Sequence, residues 1–172
     1  LFAEADGSVS CAEIGAVFDR ALYGYLFAAC SKNGFLKKAL TAKADMSNIL
    51  TAMRAESFDI AQRNFIDGGK LKVEVLQNIF SENAERALDG TAYKEFYALC
   101  TAAKQQGKPL TDAERVFDGY ETSLLKKYRF ELKNSQPFIY YVLRRRAENA
   151  DLRIIFVCLL AGMEERQIKS RL

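Results

Sequence analysis

The residues best placed to do chemistry are charged and crowded together: Arg144, Arg145, Arg146, Glu148, Asn149, Asp151 and Arg153. At i, i+4 spacing on a helix, Arg144 can pair with Glu148 and Arg145 with Asn149. Apolar stretches flank this belt on both sides. It therefore reads either as a buried ion-pair network or as a face covered by another protein, where Arg is the favoured cation. Burial in the belt makes Arg153→Ala more damaging than Lys127→Ala, by about 3–5 kcal/mol against at most about 1 for a solvated residue.

No other constellation points to a reaction. The 172 residues include no His, which excludes imidazole bases, His-assisted nucleophiles and His-containing metal sites. Gly68-Gly69-Lys70 lacks the spacing of a phosphate loop and no strand precedes it. No acidic loop has the calcium-binding spacing. The near pairs Glu82/Glu85 and Glu164/Glu165 read as ordinary solvated helix faces, and Tyr140-Tyr141 as helix residues facing a core. Cys11, Cys30, Cys100 and Cys158 are widely spaced, each in apolar surroundings. They are expected to be buried reduced thiols, as in an intracellular compartment. The expectation is no catalytic residue, no cofactor, no metal and no small-molecule substrate.

The elements that position these residues follow from composition and spacing. Apolar residues make up 49% of the chain, enough for a sizeable core, while two Pro leave few helix breakers. Residues 1–100 carry 11 Lys/Arg and 13 Asp/Glu, and residues 101–172 carry 14 and 9, so the second part is the basic one. That excess is modest for a nucleic-acid binder. The longest uncharged run, residues 21–31, is 11 residues, against about 20 needed to span a bilayer.

Ser10-Cys-Ala-Glu13 and Thr111-Asp-Ala-Glu114 read as capping boxes. The first opens a helix to about Cys30 with Val17, Leu22, Tyr25, Leu26 and Ala29 on one face. A second runs over 35–56 with Leu36, Leu40, Ile49, Leu50 and Met53 inward, and shorter helices follow at 71–80 and 82–89. Further helices span 92–106 and 111–133. Ser135 caps a long helix with Pro137 in its first turn and Leu152, Ile155, Phe156 and Leu159 inward. Gly162 ends that helix as a left-handed cap, and a short helix closes the chain. The fold class is all-α, with lobes at 1–106 and 107–172.

The two lobes share a pattern. Val17-Phe18-Asp19 recurs as Val116-Phe117-Asp118, and Phe35-Leu-Lys-Lys-Ala-Leu40 aligns with Phe138-Ile-Tyr-Tyr-Val-Leu143. In the same register Asp45 falls on Glu148, Asn48 on Asp151 and Ile49 on Leu152, an offset of 103. A helical unit of about 100 residues used twice accounts for this, with chance matching of amphipathic helices as the alternative.

The stretch Pro137-Phe-Ile-Tyr-Tyr-Val-Leu-Arg-Arg-Arg-Ala-Glu148-Asn-Ala-Asp-Leu-Arg153-Ile-Ile-Phe, followed by Ala161-Gly162-Met163 and a last segment ending Arg171-Leu172, resembles the C-terminus of the V-type ATPase C/d family of stalk proteins. Asp19-Arg20-Ala21, Phe35-Leu36-Lys37, Asp45-Met-Ser-Asn48-Ile49, the Gly68-Gly69 turn, Leu88-Asp89-Gly90-Thr91 and Tyr93 are similar to that family's middle region. The resemblance implies the C-terminal half of a longer, funnel-shaped protein built from similar lobes, and Leu1 in place of an initiator Met agrees with that.

It also implies a non-catalytic, peripheral component on the cytoplasmic side of the membrane. Its partners would be the other central-stalk proteins and the membrane rotor ring, and it would couple ATP hydrolysis or synthesis to proton or sodium transport. A basic helical nucleic-acid-binding domain or a generic helical adaptor are the alternatives.

Overall fold

The computed structural model describes residues 11–81, 86–131 and 135–169, with the side chains of Cys11 and Ala12 outside the description. Every regular element among the described residues is helical. In chain order these are α1 (Cys11–Ala29), α2 (Gly34–Arg54), α3 (Phe58–Arg63), α4 (Val73–Gln77), α5 (Lys94–Gln105), α6 (Thr111–Leu125), α7 (Gln136–Leu160) and α8 (Glu165–Lys169). One-turn 3-10 segments follow α4 and α6, at Asn78–Phe80 and Lys126–Tyr128. The chain divides into two compact units, Leu1–Asp118 and Gly119–Leu172, with the division inside α6.

The hub of the first unit is α2. Asn33 starts it by accepting a hydrogen bond from the Leu36 N–H at 3.1 Å, which satisfies one orphan donor of the first turn. The helix buries Ala39, Ala42, Ala44 and Ala52 beside Met46, Ile49, Leu50 and Met53. Small residues let neighbours approach closely while the larger ones fill the gaps, and α1, α3, α4 and α5 all pack on α2. Helix α3, which sequence patterning does not single out, is capped by Ser57. Its Phe58 ring meets Phe65 and Phe80 edge-on at centroid distances of 6.4 and 5.9 Å. From α5, Phe96, Tyr97 and Cys100 enter the same core.

Two polar residues of α2 are buried with its apolar ones: Asp45 and Asn48. The Asn48 amide makes two bonds to one residue, donating to the Ile66 carbonyl at 2.9 Å and accepting from the Ile66 N–H at 2.7 Å. The Asp45 carboxylate accepts from the Leu71 N–H and from the Tyr93 hydroxyl, each at 2.8 Å. One helical face thus ties down the loop 64–72 and the segment before α5. Gly68 has φ +96, and a Cβ there would overlap the Phe27 ring; a Cβ on Gly69 would overlap the Asp45 carboxylate. The pair of glycines is what lets the loop come this close.

Several boundaries differ from expectation. Ser10 lies outside the described residues, as do residues 82–85 of the helix expected at 82–89, and its described part, 86–89, is not α-helical. Thr111 is the first residue of α6 rather than its cap: the Leu110 carbonyl accepts from the Glu114 N–H at 2.9 Å, and the Glu114 carboxylate pairs with Arg54 instead of reaching back. The helix expected through 133 ends at Leu125 and tightens into the 3-10 turn. Ser135 precedes α7, but its side chain makes no capping bond.

The largest difference concerns α7, which packs on the turn Lys126–Tyr128 and on α8. Of its expected inward stripe, Ile155 is half-buried, while Leu152, Phe156 and Leu159 are 50%, 61% and 56% exposed. Along α1, Leu22 and Tyr25 of the expected inner face are exposed as well. Apolar periodicity marks a face that must be covered, and it does not say by which chain. The end of α7 is as read: Gly162 has φ +70, and the Gly162 and Met163 N–H groups donate to Leu159 and Cys158 carbonyls at 3.0 Å each.

Cys100 and Cys158 are buried and Cys30 is half-buried, all as free thiols. Burial pushes the Cys100 thiol up from 9.0 to about 11, opposed weakly by a backbone hydrogen bond and the Arg54 charge. Below pH 9 folded and unfolded chains both hold this proton. Between pH 9 and about 11 the unfolded chain releases it and the folded chain keeps it, so folding stability falls as pH rises through that window.

Two measurements check this core. Asp45→Ala leaves the Leu71 N–H and the Tyr93 hydroxyl without their acceptor, at about 2–4 kcal/mol in urea unfolding. Gly69→Ala destabilises the wild-type chain but costs much less in the Asp45→Ala background, because its overlap partner is gone; strictly additive costs would refute the contact. In alkylation at pH 8 followed by mass spectrometry, Cys30 is modified in the folded chain and Cys100 only after unfolding.

Candidate partner interface

The belt residues sit in the middle of α7, a helix about 37 Å long by its rise per residue. Glu148 is their centre. Arg145 donates to its Oε2 at 2.8 Å one turn away, and Arg144 approaches its Oε1 at 3.7 Å. Arg145 therefore pairs with Glu148, not with Asn149. Arg146, Asp151 and Arg153 are exposed, and among the described residues no ion pair engages them.

Both bridges are solvated, with the Arg side chains 52% and 60% exposed. Of the two readings of the belt, the buried ion-pair network is thus corrected. Helical spacing brought Arg144, Arg145 and Glu148 together, but their side chains stay 41% exposed or more. Exposed pairs of this kind contribute about 0–1 kcal/mol, so they hold the side chains in place rather than the fold.

What flanks the belt gives it meaning. Before it, Phe138, Tyr141 and Val142 are exposed; after it come Leu152, Ile154, Phe156, Val157, Leu159 and Leu160, the last 89% exposed. At 100° per residue, Phe156, Val157, Leu159 and Leu160 point in different directions around the axis. A helix apolar on all sides in this way is stable in water only when enclosed. The chemistry available to an apolar–charged–apolar rod is recognition: apolar area for affinity and a charged centre to set register.

The repeat sharpens the contrast. Asp45 and Asn48 are buried and satisfied by the loop that folds over α2 and by Tyr93, whereas the aligned Glu148 is half-buried and Asp151 exposed. Ile49 is fully buried and the aligned Leu152 is half exposed. The same register on the two long helices thus has an occupant on α2 and none on α7 among the described residues.

The remaining expected features form no reaction site. Gly68-Gly69 belongs to the pinned loop. Glu164 and Glu165 flank the start of α8, where Glu165 pairs with Lys169 at 2.5 Å, and Glu82 and Glu85 lie outside the described residues. Tyr140 is half-buried and Tyr141 exposed, so the pair does not face a core together. Among the described residues no cluster of three or more His, Cys, Asp or Glu could hold a metal ion. No described helix is long and apolar enough to cross a membrane. Sequence reasoning missed the Asp45–Tyr93 contact, although a carboxylate set among alanines on a helix and a Gly-Gly turn downstream were its signal.

Comparison with known proteins adds the decisive finding. The model of the ATP synthase (C/AC39) subunit family matches residues 1–171. No curated protein and no solved structure matches the chain. The residues that carry the resemblance to the V-type C/d family lie on α1, α2, the pinned loop, the segment before α5, and α7, all within one match to an all-helical chain. The chain belongs to the ATP synthase (C/AC39) family, the C/d family of V-type enzymes.

Proposed function

We propose that this chain is a non-catalytic central-stalk component of a V-type rotary ATPase. It would link the other central-stalk proteins to the membrane rotor ring from the cytoplasmic face, so that torque passes between ATP turnover and proton or sodium movement. The observation that carries the reading, beyond family membership, is α7: a rod with a charged belt between two uncovered apolar stretches. A torque-bearing link must be stiff inside and adhesive outside. Core density around α2 supplies the first, since packed interiors deform little. The uncovered surface of α7 supplies the second.

The belt residues Arg144, Arg145, Arg146, Glu148, Asp151 and Arg153 are assigned to the contact. Charges at the centre of a contact otherwise made of Phe, Leu and Val fix orientation, because a misaligned partner leaves them desolvated and unpaired. For a coupling element such register matters as much as affinity.

Mixing the chain with rotor ring and central-stalk proteins in detergent, followed by size exclusion, gives retention with at least one of them. Failure to bind either overturns the assignment. Replacing Arg144, Arg145 and Arg146 by Glu lowers retention at least tenfold while leaving thermal unfolding of the isolated chain nearly unchanged. Arg153→Ala and Lys127→Ala each alter its stability by no more than about 0.5 kcal/mol, because both residues are exposed. A loss of several kcal/mol at Arg153 would return the belt to the interior.

A further inference from the structure

We propose that the turn 126–130, at the end of α6, is a membrane-surface contact that takes the headgroups of anionic phospholipids. Lys126, Lys127 and Arg129 are all exposed within four residues, and Phe130 beside them is 81% exposed. With Glu131 as neighbour, the stretch 126–131 has three cations and one acid. Among the described residues no ion pair engages any of the three cations, in contrast to Arg144 and Arg145 on α7. Two of them lean on rings instead: the Lys127 ammonium lies 4.8 Å from the Tyr128 ring centre and the Arg129 guanidinium 4.6 Å from that of Phe130.

The turn is held firmly enough to present these groups. Leu125 immediately before it is fully buried, and α7 packs on the 3-10 segment Lys126–Tyr128. Ser123, Lys126, Lys127, Arg129 and Phe130 surround an open recess of about 450 Å³. A recess with cations at its rim and one protruding ring suits the lipid–water boundary, where the cations meet phosphate oxygens and the ring enters the acyl edge. A single-stranded nucleic acid would instead call for several rings spaced along a charged groove, and the recess offers one.

Each cation near an anionic surface raises partitioning about fivefold, so the three together account for about a hundredfold. The test is co-sedimentation of the whole chain with phosphatidylcholine vesicles, with and without phosphatidylserine. The chain binds only the vesicles containing phosphatidylserine, and binding weakens between about 50 and 200 mM salt. The combined substitutions Lys126→Gln, Lys127→Gln and Arg129→Gln reduce partitioning about a hundredfold, and Phe130→Ser weakens it at both salt concentrations because apolar insertion is not screened. The same replacement at Arg144, Arg145 and Arg146 leaves it unchanged.

Equal binding to both vesicles, or none, overturns the proposal. So does loss through the α7 arginines alone, displacement by millimolar inorganic phosphate, or tighter binding to an acidic peptide or to single-stranded RNA than to the vesicles. All substituted residues are exposed, and circular dichroism of each variant verifies that its helices are intact. Vesicle binding stands or falls separately from retention on the rotor ring, which is measured in detergent without vesicles.

Discussion

A carboxylate inside a helical core organises the first unit of this protein. Asp45 is fully buried, and a buried carboxylate is tolerable only when its oxygens are bonded. The Leu71 N–H and the Tyr93 hydroxyl meet that need from two places distant in sequence. Asn48, one turn along, binds Ile66 through both ends of its amide. Together they specify where the loop 64–72 crosses α2, and through the loop the course of the chain into α4 and α5. Hydrophobic burial drives the helices together, but it is non-directional. These four bonds select one arrangement among the many that would bury similar area.

The second unit shows what a helix of the same register looks like without that cover. At Glu148 and Asp151 the acids stand at the positions of Asp45 and Asn48, and the apolar residues around them remain in solvent. An uncovered Phe or Leu gains nothing from folding; it gains about 25 cal/mol per Å² of apolar surface when another molecule covers it. The stability of unit one and the exposed apolar surface of α7 therefore arise from similar sequence placed in different surroundings.

Electrostatics divides along similar lines. Asp45 and Cys100 are both buried in the core around α2, where burial holds the Cys100 thiol protonated well above neutrality. The cations that sequence patterning made conspicuous are exposed, on α7 and on the turn after α6. Two of them share Glu148; on the turn, Lys127 and Arg129 lie against the rings of Tyr128 and Phe130. Surface charge of this kind contributes little to the fold and much to the choice of partner.

The sequence by itself determined that the chain is helical, roughly where its long helices start and stop, that Gly162 takes the left-handed conformation, and, through motifs in order along the chain, the family. These are local properties: a proline in a first turn, a glycine with positive φ and a run of apolar residues act within one or two helical turns. Only the tertiary structure decided which apolar faces are covered. Leu50 and Leu152 occupy similar helical stripes, yet one is buried and the other half exposed, because burial depends on what packs from elsewhere. The same reason decided the belt. Spacing could pair Arg145 with Glu148, but whether water reaches the pair rests on elements that spacing along one helix does not describe.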